Sequence, residues 1–457
     1  MAGASYIVQG RPGSGKTILA NQLSFNHARN GGKVLFATLL SESHERLFQY
    51  LSTLSFFEPA YIGAQIQFLS AFDTLQNEGL EEVVKLLRRE ISRQKATVMV
   101  VDGLLNARNK AESQIDTKKF ISELQGHAAF AGCTVLFLTS SRLDDGSPEH
   151  TMVDGVIEIG EEAIGARSVR RIQLRKTRGS GALSGLHDCE ITEEGLAVYP
   201  RLESLYSQPS RPDPADNIKL NSGVPSLDAL IGGGLACASA TLLMGPSGVG
   251  KTSLGIQFLA EGTPEAPSLH FGFYESPQRL ALKAAALGID LSALERSGAL
   301  HMCWQPTTEG LLDGLGAKLL QKVDTYGIKR LLIDSLGGMT RVSTNPARLS
   351  DFFSTLTGEL RARGVTVLLT SETQRLFGSE IKAPMPDMSS VVDNILVMRF
   401  VEDTAELKRI MTILKVRDSV YDPSLLEVVI DAKGLGLKKA RRHAEVELTG
   451  RASSTSH

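Results

Sequence analysis

The stretches GRPGSGKT, beginning at Gly10, and GPSGVGKT, beginning at Gly245, hold the residues best suited to chemistry in this 457-residue chain. Each satisfies the pattern GxxxxGK[ST], with Gly10, Gly15, Lys16 and Thr17 in one copy and Gly245, Gly250, Lys251 and Thr252 in the other. Glycines let a backbone curl so that successive N–H groups point inward at phosphate oxygens. Gly13, Ser14 and Gly15 supply those groups in the first loop, and Ser247, Gly248, Val249 and Gly250 in the second. The helix that follows presents its positive end to the same anion. Lysine adds a point charge at the β and γ phosphates, and the threonine hydroxyl coordinates Mg2+. A glycine-rich turn can match the pattern by chance once; two matches in register predict a chain that binds ATP with Mg2+.

Further candidates stand downstream. Asp102 follows the run VMVV and Asp334 the run RLLI, so each sits at the carboxyl end of a buried parallel strand, where α/β sheets bind ligands. The predicted role is to hold the Mg2+ shell with Thr17 or Thr252; capping of the next helix is the alternative. Glu42 and Glu275 close the strand after each P-loop helix. A carboxylate there polarises a water aligned on the γ phosphate or accepts a hydroxyl proton, although a helix-start Glu resting on the dipole reads the same way. Lys176 with Arg178, and Lys415 with Arg417, alternate at the end of a late strand and so share one face. On a lone domain that is a solvated edge; in a ring ATPase it reaches a neighbour's γ phosphate as an arginine finger does.

These residues need a scaffold, and the chain writes it twice. SYIVQGRPGSGKTILANQLSF, from Ser5, reappears as ATLLMGPSGVGKTSLGIQFLA, from Ala240. GCTVLFLTSS is matched by GVTVLLTSET, MVDGVIEI by VVDNILVM and LRKTRGS by LKVRDS. Lys16 and Asp102 are 86 residues apart and Lys251 and Asp334 83; Lys16 lies 160 before Lys176 and Lys251 164 before Lys415. Landmarks in one order at such spacings are a duplication. Strands alternating with helical stretches predict an α/β fold with a mostly parallel sheet flanked by helices in each half. The expected division is a first domain over 1–206, a Pro-rich linker over 207–217, a second domain over 218–440 and a polar tail over 441–457. Ahead of its P-loop the second half has NSGVPSLDALIGGGLACAS, whereas the first has only MAGAS, so the first copy lacks most of this lead-in. The basic cluster Lys438, Lys439, Arg441 and Arg442 is read as a solvated helix face.

Hydrophobic content of 42%, charged content of 22% and a net charge of −2 describe an ordinary cytoplasmic globular protein without a field that attracts nucleic acid or anionic lipid. The four cysteines are scattered and form no metal or disulfide framework. No apolar run reaches the roughly 18 to 20 residues that a bilayer requires.

The tandem P-loops, the GVPSLDALIGGGL lead-in, the strand-end Glu followed by Ser and the K-x-R near each end together resemble the KaiC family of double-domain clock ATPases and autokinases. The resemblance runs from about residue 3 to about residue 437. It implies tandem RecA-like P-loop domains, a homo-hexamer of two stacked rings with ATP at subunit interfaces, and Ser/Thr autophosphorylation in the second domain. The family's phosphoacceptor pair falls on Ser389 and Ser390, which the first half replaces with His150 and Thr151. Partners implied are a KaiB-like protein, a histidine kinase or a response regulator. Two departures stand out: the family's adjacent Glu-Glu pair is Ser41-Glu42 and Tyr274-Glu275 here. A phenol is no base near neutral pH, so Glu42 and Glu275 are expected to carry the base function. A RecA/DnaB-like motor on DNA is disfavoured, because SRLDDGSPEHT carries more acid than base and TQRLFGSEIKAPMPD has only Phe377 for stacking. A non-hydrolysing, nucleotide-dependent scaffold is the other alternative.

Overall fold

VLFAT at 34–38 and VMVVD at 98–102 have no polar alternation, the pattern of strands covered on both faces. In a computed structural model of the chain both are central strands of a large sheet. The structure describes residues 2–110, 114–140, 148–179, 181–212, 218–305, 310–373, 383–403, 406–417 and 419–439. Most of the two loops weighed for DNA contact, Phe377 included, lie outside these residues, as do Arg441, Arg442 and the tail. The chain divides into two units, Met1–Arg201 and Leu202–His457.

The first unit's strands are β1 (Ser5–Gln9), β2 (Val34–Thr38), β3 (Ile66–Ser70), β4 (Val98–Asp102), β5 (Thr134–Thr139), β6 (Gly155–Ile164), β7 (Arg167–Thr177), β8 (Leu186–Thr192) and β9 (Gly195–Tyr199). They form one sheet in the order β3-β2-β4-β5-β1-β6-β7-β8-β9. Pairing is parallel from β3 to β6 and antiparallel from β6 to β9. Neighbouring residues of one strand feed opposite cores, because side chains alternate across a sheet. Ile7, Leu35 and Val101 enter one core, and Val8, Phe36 and Val100 the other.

The second unit opens with the short strands β10 (Lys219–Leu220) and β11 (Leu235–Ala236), which pair across the lead-in helix Pro225–Leu230. Val224, Leu227 and Ile231 of this lead-in are buried in the core beneath the P-loop helix. The main strands are β12 (Ala240–Gly245), β13 (Ser268–Gly272), β14 (Leu300–Trp304), β15 (Arg330–Asp334), β16 (Thr366–Glu372), β17 (Asn394–Asp403), β18 (Glu406–Val416), β19 (Leu426–Asp431) and β20 (Gly434–Lys439). Their order, β14-β13-β15-β16-β12-β17-β18-β19-β20, repeats that of the first sheet strand for strand. The tandem, mostly parallel α/β architecture is therefore the one the duplication predicts.

The junction differs in one respect. The composition groups residues 202–206 with the first half and makes 207–217 a linker, but Leu202, Glu203 and Ser210 pack on the second unit. Leu202 is buried in that unit's core and donates its N–H to Asp313 Oδ1 at 3.2 Å. Arg348 forks between Glu203, at 2.7 and 2.9 Å, and the fully buried Asp313, at 3.1 Å. Ser210 donates its N–H and its hydroxyl to the two oxygens of Glu359, both at 2.7 Å. These polar groups are spread through the sequence, and nothing in the Pro-rich composition reveals them.

Breaking a buried ion pair from one side costs about 3–5 kcal/mol, because the other charge is left without a partner. Asp313→Ala should therefore destabilise the second unit and loosen residues 202–210, leaving the first unit unchanged. Hydrogen–deuterium exchange reads both effects by region, and unaltered protection over 202–210 would mean that the clamp does not hold this segment.

Candidate nucleotide sites

Each P-loop is the turn between the first strand of its motif and a helix, Lys16–Arg29 in the first unit and Lys251–Ala260 in the second. The residue before each helix is glycine in the left-handed region, Gly15 at φ 104° and Gly250 at φ 113°, where a side chain would be strained. Gly10 is needed for a different reason. A Cβ on it would lie 2.2 Å from the carbonyl oxygen of Ile159, so the loop could not sit against β6. Lys16 Nζ donates to the carbonyls of Gly10 and Arg11 at 2.8 and 2.9 Å, and Lys251 Nζ to those of Gly245 and Pro246, both at 2.7 Å. The ammonium is thus held at the lip of each loop.

The strand-end acids meet the P-loop threonines in both units. Thr17 Oγ1 donates to Asp102 Oδ2 at 3.1 Å, and Thr252 Oγ1 to Asp334 Oδ2 at 3.0 Å. Thr370 donates to the other oxygen of Asp334. Burial pushes the Asp102 carboxyl above the usual carboxylate range, and the Thr17 bond and the Lys16 charge oppose it only in part. Burial also lowers the pKa of Lys16 and of Lys251; the charges of Asp102 for Lys16, and of Glu372 and Asp334 for Lys251, act against it.

These donor sets fit the groups that the motifs imply. The Ser14 hydroxyl is buried in the first loop with no hydrogen-bond partner, a donor left over for an anion. Among the described residues no three His, Cys, Asp or Glu cluster so as to hold a metal by themselves. One hydroxyl and one carboxylate per site suit Mg2+, which usually keeps several waters and takes its remaining oxygens from phosphate. Thr17 with Asp102, and Thr252 with Asp334, would hold it.

In the second unit a cleft of about 750 Å³ gathers Ser247, Gly248, Gly250, Lys251, Thr252, Asp334, Glu275 and Tyr274. Val249 turns its side chain into the core, so only its backbone is left for a ligand. Glu275 stands just before Ser276, whose hydroxyl caps the helix Pro277–Ala286. Its carboxylate is ion-paired with Lys283 through one oxygen, and the other is buried without a partner. Glu42 likewise precedes the cap Ser43 of the helix His44–Leu51, but it is exposed, with Arg46 Nε 3.6 Å away. Both glutamates therefore lie one residue outside the helix rather than within its first turn.

The K-x-R pairs line no part of that cleft. Lys176 Nζ donates to the carbonyls of His150, Thr151 and Val153 at 2.7, 3.3 and 2.6 Å, and Lys415 Nζ to those of Ser389 and Val392 at 2.6 and 2.8 Å. Arg178 lies 4.0 Å from Asp154, and Arg417 bonds Asp393 at 3.0 Å. Ser389 and Ser390 are exposed on the short helix Met388–Val391, beside Lys415 and outside the cleft.

Sequence reasoning missed Arg409 on β18, whose guanidinium lines the cleft with its buried Nε unpartnered. Its counterpart Arg170 on β7 also has a buried, unpartnered Nε. Each lies six residues before the lysine of its K-x-R pair, a repeat that aligning the halves could have exposed. Leu287, Ile430 and Ala432 add an apolar wall suited to a planar base.

A family model described as "ATPase: KaiC" matches residues 1–203 and again 220–441. The chain is 25% identical over 464 residues to the circadian clock oscillator protein KaiC of Picosynechococcus sp., covering 98% of this chain and 88% of that protein. It is 26% identical to the KaiC of Parathermosynechococcus lividus, over 98% of this chain and 84% of the relative. To KaiC 1 of Synechocystis sp. it is 25% identical, over 98% and 88%.

The raised Asp102 pKa sets a pH dependence. A folded-state pKa above the unfolded one means that Asp102 contributes full stability at pH below the unfolded value and loses it as pH rises through the folded value. At neutral pH the buried charge is a cost. Asp102→Asn should raise the melting temperature of the ligand-free chain at pH 7 and abolish the additional rise that Mg2+ with ATP produces at the first site. A fall in the ligand-free melting temperature would contradict this account of Asp102.

Proposed function

The chain belongs to the KaiC ATPase family, and on that footing we propose that it is an ATP-hydrolysing, Mg2+-dependent signalling ring whose second unit phosphorylates itself on Ser389 or Ser390. The observation that carries the proposal is the duplicated constellation of P-loop lysine, P-loop threonine and strand-end aspartate, built on identical sheet topology in both units. Gly10, Gly13, Ser14, Gly15, Lys16 and Thr17 bind the phosphates in the first unit, and Gly245, Ser247, Gly248, Val249, Gly250, Lys251 and Thr252 in the second. Bound Mg2+, held by the threonines with Asp102 and Asp334, supplies neutralisation of phosphate charge. Glu42 and Glu275 orient or deprotonate the nucleophile.

Arg178 and Arg417, with Lys176 and Lys415, act on the nucleotide of an adjoining copy in a homo-hexamer. These side chains contact local carbonyls and aspartates, and Lys415 and Arg417 do not line the cleft of their own unit, which supports action across an interface. Partners of the KaiB-like, histidine kinase or response-regulator type and a cytoplasmic setting complete the reading. No helix among the described residues is long and apolar enough to cross a membrane.

One feature favours a second reading, a nucleotide-dependent scaffold that does not hydrolyse. Glu42 is exposed and Glu275 is tied to Lys283, so neither site has a free paired carboxylate from this strand end.

Incubation with γ-labelled ATP and Mg2+ separates the outcomes. Label retained on the chain and lost in Ser389→Ala/Ser390→Ala is expected; phosphate release without retained label would leave an ATPase only, and neither signal would favour the scaffold. Mixing Lys251→Ala subunits with Arg417→Ala subunits should restore part of the second-unit turnover that each lacks alone. No recovery on mixing would rule out action in trans by Arg417.

A further inference from the structure

The second site holds a carboxylate that neither the P-loop motif nor the strand-end glutamate accounts for. Glu372 is the last residue of β16, in register with Gly245, the first glycine of the P-loop. The next residue, Thr373, donates its N–H to the Gly245 carbonyl at 3.1 Å, so the strand end is fastened to the loop. Glu372 lines the same cleft as Lys251, Tyr274, Glu275 and Asp334, and its side chain is exposed. Among the described residues no hydrogen bond and no close ion pair is made by its side chain, whose charge is felt by the Lys251 ammonium.

The other groups of that cleft are less suited to taking a proton. Tyr274 is a phenol, and the Arg341 guanidinium lies 5.6 Å over its ring. Glu275 is ion-paired with Lys283 through one oxygen and has its other oxygen buried, and Asp334 accepts from two threonines. A carboxylate that has no bond among the described residues and lines the cleft with the P-loop lysine has what a general base requires: reach toward the γ phosphate and a vacant acceptor. The first unit differs at this point. Gln9 pairs with Thr139, which sets Ser140 opposite Gly10 where the second unit has Glu372.

We infer that Glu372, rather than Glu275, is the general base of the second site, which leaves Glu275 the orienting part of the role given it above, and that the first site has no counterpart to Glu372. The inference rests on the ATP reading above. The nucleophile is a water or a serine hydroxyl: its oxygen bonds to the γ phosphorus as the bond from that phosphorus to the β–γ bridging oxygen breaks. The electron pair of the broken bond leaves with ADP, and the proton of the nucleophile passes to the Glu372 carboxylate.

The test uses the full chain with the first site silenced by Lys16→Ala, so that turnover and retained label report the second site. In that background Glu372→Gln should lower kcat by about 100-fold, the scale of general-base removal, with ATP affinity close to that of the parent. Glu372→Asp, which keeps the carboxylate but shortens its reach, should recover part of the loss. Unchanged kcat in Glu372→Gln, with an active parent, would overturn the inference and leave the ATPase reading intact. Parallel losses of kcat and ATP affinity, with Asp no better than Gln, would also overturn it, since Glu372 would then only hold the loop. A parent that neither binds nor turns over ATP at the second site would bring down the reading beneath and the inference with it.

Discussion

A strand-end carboxylate held against a threonine hydroxyl, buried at Asp102 and half-buried at Asp334, is the constraint that organises each unit. Asp102 and Asp334 end strands whose other residues are almost wholly apolar, and those strands lie inside the sheet, away from its edges. Only a parallel sheet covered on both faces by helices keeps such a strand end dry. At Asp102 the same burial that raises the pKa of the carboxyl makes the site receptive, because a cation brought there is screened by little else. The P-loop lysine supplies one positive charge and fastens itself to carbonyls of its own loop. A divalent cation with its polyphosphate answers the remaining need.

The two units share that constraint and differ around it. Backbone register is conserved so closely that each divergence can be assigned to a single position. Phe36, buried in the first unit, is His270 in the second, where burial lowers its pKa and its Nδ1 finds no partner. Ser41 is Tyr274, and Ser140 is Glu372. The exposed pair Ser389 and Ser390 corresponds to His150 and Thr151, and His150 is buried against Gln9, with 3.0 Å between Nε2 and Oε1. An imidazole committed to the strand that leads into the first P-loop is unsuited to the part that an exposed hydroxyl can take. Of these positions His270, Tyr274 and Glu372 line the second unit's cleft, while the P-loop lysine and threonine and the strand-end aspartate are repeated in both units.

What could be read from the sequence followed the range of the forces involved. Lys16, Thr17 and the glycines lie within one turn and declare themselves by local spacing. Asp102 and Asp334 are distant in sequence, yet an apolar run that stops at an acid marks them. Arg409 carries no such mark: a basic residue on a hairpin strand looks like a solvated edge until the curl of the sheet brings it over the cleft. Glu372 closes an apolar strand as Asp334 does, and its meaning appears only when its neighbour proves to be the P-loop strand. The segment 202–210 was misplaced because Pro and Ser composition reports chain stiffness and polarity. It does not report that Asp313, Arg348 and Glu359 converge on the segment from three places more than a hundred residues away.

The K-x-R pairs bring these strands together. In both units the lysine ammonium is bound by carbonyls at the end of a short helix, where the helix dipole also favours a cation. That lysine is committed within its own chain. The arginine two residues on is more loosely held: its side chain is 59% exposed in the first unit and 42% in the second, with Asp154 or Asp393 to set its base. On the proposed reading, a group that reaches a neighbouring nucleotide has to be aimed without being consumed by its own contacts, a condition that the arginine meets more fully than the lysine. In the second unit the short helix so fastened is the one that carries Ser389 and Ser390, whose backbone meets Lys415 directly. One lysine therefore fastens the helix that carries both serines and lies two residues from the exposed arginine, so on the proposed reading a change in charge at those serines would be felt first by Lys415 and Arg417.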